Sequence, residues 1–390
     1  MLVTVKENGA RRVVHLKERW ADTPLRKGTA HLSTRLRAKL ITGDIINLIS
    51  PTLEIGSTKA IEISFKLPNT FIIHHPDSML TMTAIANAMP CPRKPILQSL
   101  MKGAAPPSKP ILYGTIQHSL LQDALSEQDF SVDETRRRLD IELRKEERKL
   151  EIWGAGLGIE DVRLEVGERA AKGFETFGDK WVSADPSPDG ELHAVAGENP
   201  GLLAINGLHD IEEDIWSAKW GLKGKVDASV QARIVRNPTL LAKHVEEYIA
   251  PLEIKTGRAV GVMAHRAQTM LYTLLMEDRY SVPVPAGLLY YSQLDSILRV
   301  EARPNEIRAL IMARNEIAAW MTRKRRIPPT PSAGEAEVAG SEMAISVSVK
   351  KNTATADMED LALLPPTIDH ARECKSCYAV DSCMLYRKVS

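Results

Sequence analysis

Two short segments combine carboxylates with a lysine at spacings that suit phosphodiester hydrolysis. One reads Gly221-Leu-Lys-Gly-Lys-Val-Asp227 and the other reads Pro251-Leu-Glu253-Ile-Lys255-Thr-Gly257. Residues i and i+2 of a strand share a face, so Glu253 and Lys255 project together. If the strand that carries Asp227 is the neighbour, both carboxylates and the ammonium converge. Magnesium prefers carboxylate oxygens, and a lysine beside the metal can orient the attacking water.

An E-x-K pair is by itself weak evidence, because two such residues at a strand end commonly form a plain salt bridge. The glycine-rich turn before Asp227, which lies 26 residues ahead of Glu253, strengthens the nuclease interpretation. His118, in the segment Gly114-Thr-Ile-Gln-His118 near the start of an amphipathic helix, adds a candidate imidazole ligand. Gln268 and Tyr272 have i, i+4 spacing and therefore share one helix face. Taken singly, these last three residues are more often ordinary structural residues.

The chain has four cysteines, and their placement indicates a thiolate site. Cys374, Cys377 and Cys383 form C-x2-C-x5-C, and Cys91 precedes Cys374 by 283 residues. This spacing is compatible with zinc or with an iron–sulfur cluster, and the residues alone leave both open. A redox C-x-x-C is disfavoured because no β-α-β pattern surrounds it. Four cysteines are also too few for a secreted disulfide scaffold.

Composition and charge exclude several classes of protein. Of the 390 residues, 44% are hydrophobic and 26% are charged, as is typical of soluble globular chains. No apolar stretch approaches the roughly 18 residues of a membrane helix, and the first twenty residues do not resemble a signal peptide. The net charge is +1, so any nucleic-acid-binding surface must be local. Candidate contributors are Arg136–Arg138 and Lys223, although a run of arginines is more often a solvated face.

The elements that must position these residues fall into four segments. Residues 1–75 contain short strands at 13–16, 44–49, 60–65 and 70–73, which predict a small β-barrel or sandwich. Residues 76–325 mix strands at 224–234, 250–255 and 287–291 with helices at 112–125, 135–153, 260–276 and 305–325. Residues 326–365 are predicted to be a disordered insertion, because Pro, Ser, Thr, Ala and Glu dominate there. Residues 366–390 carry the cysteine triad.

The order G-x-x-x-H, G-K-V-D, E-I-K and Q-x-x-x-Y resembles the RecB-type branch of the PD-(D/E)xK nucleases. The resemblance implies an α/β restriction-endonuclease-like core, in which helices flank a mixed sheet. It implies three ligands for Mg or Mn, namely His118, Asp227 and Glu253. It also implies that Lys255 acts on the attacking water, and that Gln268 and Tyr272 support the site and the DNA path.

The cysteine pattern resembles that of the iron–sulfur members of the same branch, with one cysteine before the nuclease motifs and a triad after them. That resemblance implies one 4Fe–4S cluster held by all four cysteines: Cys91, Cys374, Cys377 and Cys383. The cluster would then close the C-terminal segment onto Cys91 and act as a clasp around the nuclease core.

Residues 75–86, 210–227 and 265–275 resemble the nuclease part of the eukaryotic DNA replication ATP-dependent helicase/nuclease family. The resemblance covers about residues 10–325 and 365–390, and it implies that the N-terminal barrel is OB-like. It further implies a single-strand and 5′-flap endonuclease that acts in Okazaki-fragment processing and in resection of double-strand breaks. The implied compartments are the nucleus and also the mitochondrion. The implied partners are single-stranded and 5′-flap DNA, a single-strand DNA-binding protein and a helicase region or chain.

The departure from that family is the absence of helicase motifs. The chain has no G-x-x-x-x-G-K-[ST], so no ATPase activity is predicted. We expect a fragment, a truncated or partial gene product, or a nuclease whose helicase lies on another chain. The alternative function is a non-catalytic single-strand DNA-binding scaffold with a structural metal or iron–sulfur site. The intact set of Asp227, Glu253 and Lys255 favours the nuclease.

Overall fold

The N-terminal region consists of two small sheets. The computed structural model describes residues 2–8, 11–17, 27–32, 44–49, 61–63, 69–101, 108–193, 201–236, 244–257, 262–322, 364–375 and 377–389. Strands β1 (Leu2–Asn8), β2 (Arg11–Lys17), β3 (Lys27–Leu32) and β5 (Ile61–Ile63) form one sheet in that order. Its β3–β5 pairing is parallel and the other two are antiparallel. Strand β4 (Ile46–Ile49) pairs antiparallel with β6 (Phe71–His74).

The four strands predicted in this region coincide with β2, β4, β5 and β6, whereas β1 and β3 were not predicted. Closure of these strands into an OB-like barrel stays a prediction, because much of the chain between them lies outside the described residues.

A six-stranded mixed sheet forms the centre of the remaining structure. Its strands are β7 (Leu80–Thr81), β8 (Leu202–Ser217), β9 (Leu222–Arg236), β10 (His244–Lys255), β11 (Ala286–Tyr291) and β12 (Ser296–Glu301). The order is β12-β11-β10-β9-β7, and β8 pairs with β9 along nearly its whole length. The β10–β11 and β7–β9 pairings are parallel, and the others are antiparallel.

Helices pack on both faces of this sheet. They are α1 (Met82–Ala88), α2 (Arg93–Met101), α3 (Lys109–Glu127), α4 (Val132–Arg144), α5 (Glu146–Gly154), α6 (Ile159–Trp181), α7 (Met263–Tyr280), α8 (Pro304–Thr322), α9 (Ala371–Lys375) and α10 (Val380–Val389). None of the helices in the described part of the chain is long and apolar enough to cross a membrane.

Strand β11 shows the layering directly. Leu289 and Tyr291 pack in one hydrophobic core with residues of α1, α7 and α8, whereas Leu288 and Tyr290 pack in a second core with residues of α3, α4 and α6. Alternate side chains of a strand face opposite sides of its sheet, so β11 is buried on both faces. The predicted α/β class, a mixed sheet flanked by helices, is therefore confirmed.

The predicted single helix at 135–153 is wrong. The structure has two helices, because Lys145 between them adopts an extended backbone with φ −63° and ψ 131°. The main-chain amide of Lys145 donates to the carbonyl of Glu142 (3.2 Å) and closes α4. Helix α5 restarts with Glu146 and Glu147 in its first turn, where acidic side chains favour the helix dipole.

Helix α6 and strands β8 and β12 were not predicted. In α6 the buried residues Val162, Val166, Ala170 and Phe174 recur every four positions, so helical periodicity was available as a signal. Of the predicted insertion at 326–365, only Leu364 and Pro365 are among the described residues, and both are buried. The ordered C-terminal segment therefore includes at least these two residues.

The Arg136–Arg138 run is not a free cationic surface. Arg136 pairs with Glu168 (3.0 Å), and Arg137 pairs with Glu134 (2.5 Å). Arg138 is buried and pairs with both Glu127 and Glu134. The suggestion that this run contacts DNA phosphates therefore finds no support, because the guanidinium groups neutralise carboxylates of their own region.

Arg314 of α8 connects the segment after β6 to the start of β9. It is fully buried, and burial lowers the pKa of its guanidinium to about 10. It donates to the carbonyls of His74, of His75 (2.6 Å), of Ser78 (2.8 Å) and of Gly221 (3.2 Å). Because Gly221 immediately precedes β9, this arginine helps to set the position of the strand that carries Asp227.

Candidate active site

Asp227 and Glu253 lie on neighbouring strands, which is the condition under which the two carboxylates can form one site. Strands β9 and β10 are antiparallel with Ala228 opposite Leu252, which places Asp227 beside Glu253. Oδ2 of Asp227 accepts a hydrogen bond from the main-chain amide of Ile254 (2.7 Å). The carboxylate of Asp227 is therefore fixed by the backbone of the strand that carries the E-x-K motif.

Glu253 is the most deeply buried carboxylate of the site, with 1% of its surface exposed. Its Oε1 accepts a hydrogen bond from Lys255, while its buried Oε2 has no hydrogen-bond partner. Burial, with the nearby charge of Asp227, raises the pKa of Glu253 to about 8. A buried carboxylate oxygen without a partner is costly unless something binds it, so this atom is poised to receive a proton or a cation.

Lys255 is connected to α7 by a chain of hydrogen bonds. Its Nζ donates to Oε1 of Gln268 (3.3 Å), and Nε2 of Gln268 donates to the hydroxyl of Tyr272 (3.1 Å). The Tyr272 hydroxyl then donates to the carbonyl of Lys225 on β9 (2.7 Å). Burial raises the pKa of Tyr272 well above its ordinary value, so the hydroxyl keeps its proton and remains a donor. Gln268 and Tyr272 thus link the lysine to both strands of the site.

His118 reaches the site from α3. Its Nε2 lies 2.9 Å from Oδ2 of Asp227. Gly114 makes this approach possible, because a Cβ at that position would lie 2.8 Å from Oγ1 of Thr256 at the end of β10. Burial alone would lower the pKa of His118, but the hydrogen bond to Asp227 and the surrounding carboxylates outweigh it and raise the pKa.

Glu212 is a site residue that the sequence reasoning missed. It lies on β8 opposite Asp227, between the paired positions Ile211↔Ala228 and Glu213↔Val226, and its backbone is left-handed with φ 53°. Ligand atoms of His118, Glu212 and Asp227 lie within 4.8 Å of one another, which is close enough for one ion. No spacing rule in the sequence points to Glu212, because its position depends on a strand fifteen residues from Asp227 folding back beside it.

Two contacts hold Glu212 in place. Its carboxylate accepts from Nε2 of Gln122 and lies 2.8 Å from Nζ of Lys225. Burial opposes ionisation, but Lys225 and Gln122 outweigh it and lower the pKa of Glu212. Gln122 also donates to the carbonyl of Asp227 (3.1 Å), so it joins α3 to both strands.

The donor set fits a hard divalent cation. Asp227, Glu253 and Glu212 supply oxygens and His118 supplies a nitrogen, and Oε2 of Glu253 is buried without a partner. The residues whose ligand atoms already lie close enough to share one ion are His118, Glu212 and Asp227. Glu253 instead contacts Lys255. Glu253 would complete the site by exchanging its contact with Lys255 for a shared ion.

The cysteines lie in two segments that the fold brings near one another. All four are free thiols of intermediate exposure. The Tyr378 hydroxyl contacts Oε1 of Gln98 on α2 (2.8 Å), and Nζ of Lys94 lies 5.3 Å from the Tyr378 ring centroid. The segment that follows Cys377 therefore packs on the helix that begins two residues after Cys91. The binding of one 4Fe–4S cluster by these thiols stays a prediction.

The structure thus brings carboxylates and a lysine together where two adjacent strands of a mixed, helix-flanked sheet meet. The family described as DNA replication factor Dna2 matches residues 5–232. This match covers more than half of the chain, and the chain belongs to that family.

Three relatives carry the name DNA replication ATP-dependent helicase/nuclease. The protein of Bos taurus is 30% identical over 354 residues, which cover 89% of this chain and 30% of the relative. The Schizosaccharomyces pombe protein is 27% identical over 346 residues, covering 86% and 21% respectively. The human protein is 29% identical over 325 residues, covering 82% and 28%. The chain thus spans less than a third of the length of these relatives.

Proposed function

We propose that this chain is a metal-dependent nuclease domain that cuts single-stranded DNA, including 5′ flaps. Membership of the Dna2 family and the names of the relatives support a nuclease with a role in DNA replication. The site supports hydrolysis of a phosphodiester, because it combines ligands for a cation with a lysine that can act on water.

The observation that carries the proposal is the state of Glu253. Glu253 is fully buried, and only one of its two oxygens has a partner, the ammonium of Lys255. Burial of such a group costs free energy that a purely structural role does not recover. Binding of a cation by Glu253 would offset this cost and would release Lys255 to orient the attacking water.

Mg or Mn bound at Asp227, Glu253 and His118 would lower the pKa of its water and offset the charge of the transition state. The chain's own residues do the positioning. Lys255, held by Gln268, directs its ammonium towards the cluster, where it can orient the attacking water. The amide of Ile254 fixes one oxygen of Asp227 and thereby leaves the other available.

A cleavage assay with a variant of Glu253 tests the proposal. The full chain is incubated with Mg²⁺ or Mn²⁺ and a labelled 5′-flap substrate, and Glu253→Gln should abolish cleavage while DNA binding survives. The matched control is Glu247→Gln, since Glu247 lies on the same strand but is exposed and pairs with Arg233 (3.3 Å). Full activity of Glu253→Gln would refute the assigned site.

The same assay separates the alternative function. A non-catalytic scaffold would bind single-stranded DNA in the presence of both metals and leave it intact at every enzyme concentration. Flap polarity then follows from comparing 5′-flap with 3′-flap substrates, for which we propose a 5′ preference.

The biological setting is also a proposal. We infer action in Okazaki-fragment processing and double-strand-break resection, in the nucleus and in the mitochondrion, together with a single-strand DNA-binding protein and a helicase region or chain. Support comes from the relatives' name, which joins helicase and nuclease in DNA replication. Stimulation of flap cleavage by a single-strand DNA-binding protein would test the partnership.

We further propose that Cys91, Cys374, Cys377 and Cys383 hold one 4Fe–4S cluster. The chemistry of the donors supports it, since four free thiols in two segments that share the Tyr378–Gln98 contact are suited to thiolate ligation. Such a cluster would link the two ends of the nuclease region without an open position for catalysis.

A further inference from the structure

The hairpin of β8 and β9 exposes an aromatic ring beyond His118, Glu212, Asp227 and Glu253, which we call the catalytic cluster. The side chain of Trp216 is 63% exposed, although tryptophan is highly buried on average. Trp216 lies on β8, four residues after Glu212. Its position on the strand that carries Glu212 makes the ring a candidate contact for a ligand of the proposed active site.

The strand register aligns this ring with two lysines. Trp216 is opposite Lys223, and Asp214 is opposite Lys225. Residues that face each other across a strand pair share one side of the sheet. Ser217, Ile215 and Glu213 are buried on the other side. Trp216, Lys223 and Lys225 therefore form one outward row on the hairpin, which we call the hairpin row.

The hairpin row leads to the catalytic cluster. Nζ of Lys225 lies 2.8 Å from Glu212. Ligand atoms of Glu212, His118 and Asp227 lie close enough together to bind one ion. Lys223 precedes Asp227 by four residues on the same strand, which is a distance of about 13 Å. A strand of DNA whose phosphate lies at the carboxylates would reach the ring within a few nucleotides.

The indole is held in one orientation before any ligand binds. Its Nε1 donates to Oδ1 of Asp214 (3.0 Å), and Nζ of Lys223 lies 5.3 Å from the ring centroid. Among the described residues, no carboxylate forms an ion pair with Lys223. The ammonium of Lys223 lies over one face of the ring, so it can contact a phosphate while a base stacks on the opposite face.

We propose that Trp216, with Lys223, forms a stacking subsite for an unpaired base of the DNA strand that enters the catalytic cluster. The inference rests on the proposed nuclease function. Every base has a π-face, so stacking tolerates any sequence but requires a base that is not already stacked in a duplex. The subsite would thus favour single-stranded over double-stranded substrate. The charge of Lys223 beside the ring favours this anionic occupant over an apolar protein surface.

Binding measurements on the full chain test the subsite. In Ca²⁺, with a fluorescent oligo-dT probe, Trp216→Ala should weaken binding by about 5- to 140-fold, as removal of a base-stacking ring does. Trp216→Phe should retain most of the affinity, because it keeps an aromatic face. The matched control is Trp153→Ala, since Trp153 is 80% exposed on α5 and should not affect binding.

Two further measurements separate stacking from charge. An oligonucleotide of abasic sites should bind wild type and Trp216→Ala equally, because neither complex can stack a base. Lys223→Gln should reduce the slope of log affinity against log salt by about 0.7, whereas Trp216→Ala should leave that slope unchanged. Duplex affinity should be the same for wild type and Trp216→Ala.

The outcomes distinguish this subsite from the proposed function. Unchanged oligo-dT affinity of Trp216→Ala, or an equal loss for single-stranded and duplex DNA, would overturn the stacking subsite even if wild type cleaves flaps. A selective loss of oligo-dT affinity would support the subsite even if no metal gave cleavage, and only the nuclease proposal would then fall. Thermal unfolding of each variant should match wild type.

Discussion

The catalytic cluster and the C-terminal cysteine segment, residues 366–390, hold their key residues in contrasting ways. In the cluster, a main-chain amide of β10 binds Asp227 of β9, so sheet pairing itself fixes the carboxylate. In the cysteine segment, Cys377 and Cys383 pack only partly buried against the core, and Tyr378 provides the described polar contact to α2.

This difference bears on the role of the proposed iron–sulfur cluster. The strands that carry Asp227 and Glu253 are held by long ladders of main-chain hydrogen bonds, so the cluster forms with the fold. The cysteine segment is short, and its helix α9 has no buried residue. A 4Fe–4S cluster shared with Cys91 would tie this segment to the nuclease region, a link that side-chain packing provides only in part.

The largest expected effect comes from removing that link. Cys383→Ser should lower iron content and reduce the free energy of unfolding by roughly 5–6 kcal/mol, which is the chain-entropy value for closing a loop of this length. Iron per chain and chemical denaturation followed by circular dichroism measure both quantities. Ser382→Ala, one residue away, is the control and should leave both unchanged. One zinc per chain in place of iron would refute the 4Fe–4S assignment and leave the nuclease proposal intact.

Next in size are the catalytic substitutions, which should separate metal binding from chemistry. Lys255→Ala should lower the cleavage rate by about 100- to 1,000-fold but keep Mn²⁺ affinity, because an ammonium is not a ligand. Asp227→Ala should lose both. Cleavage kinetics and calorimetric titration with Mn²⁺ provide the two readouts. If Lys255→Ala loses Mn²⁺ affinity as strongly as Asp227→Ala does, the lysine acts by supporting the site and not by orienting water.

The buried carboxylate predicts a pH dependence of stability in the presence of a chelator. Since the pKa of Glu253 is raised from 4.5 to about 8, the folded chain holds a proton between these values that the unfolded chain has released. Stability should therefore fall as pH rises through this window, by at most about 1.4 kcal/mol per pH unit. Urea denaturation between pH 5 and pH 8 measures it. Glu253→Gln should flatten this part of the profile, whereas Glu247→Gln should not; an equal slope in both variants would contradict the assignment.

The smallest expected effect concerns the contact between the cysteine segment and α2. Tyr378→Phe removes the hydrogen bond to Gln98 and should cost about 1 kcal/mol. Tyr290→Phe serves as the control, because the buried hydroxyl of Tyr290 has no partner and its removal should be neutral or slightly stabilising. Denaturant midpoints compare the two. Equal midpoints would show that Tyr378 contributes nothing to the clasp.

The sequence predicted the elements whose patterns are local. Strands β9, β10 and β11 and helices α3, α7 and α8 were all predicted. Helix α3 has clear helical periodicity, and β11 is a short, continuous apolar run. Helix α6 was overlooked despite its four-residue repeat. The break at Lys145 was not visible, since it depends on one extended residue inside a charged stretch that otherwise reads as helix.

The sequence by itself determined the residue types of the site. It also determined that Glu253 and Lys255 project from the same face of one strand. Side-chain alternation is a local property, so E-x-K on a strand fixes a shared face whatever surrounds it. The G-x-x-x-H motif likewise contained the glycine that α3 needs beside Thr256.

Only the tertiary structure decided the environment of these residues. It placed Glu212 opposite Asp227, buried Glu253 enough to raise its pKa, and paired Arg136 of α4 with Glu168 of α6. Each of these outcomes depends on register and burial between segments that are distant or unrelated in sequence pattern. Electrostatics responds to that burial and not to residue type alone, because desolvation sets the cost of each charge.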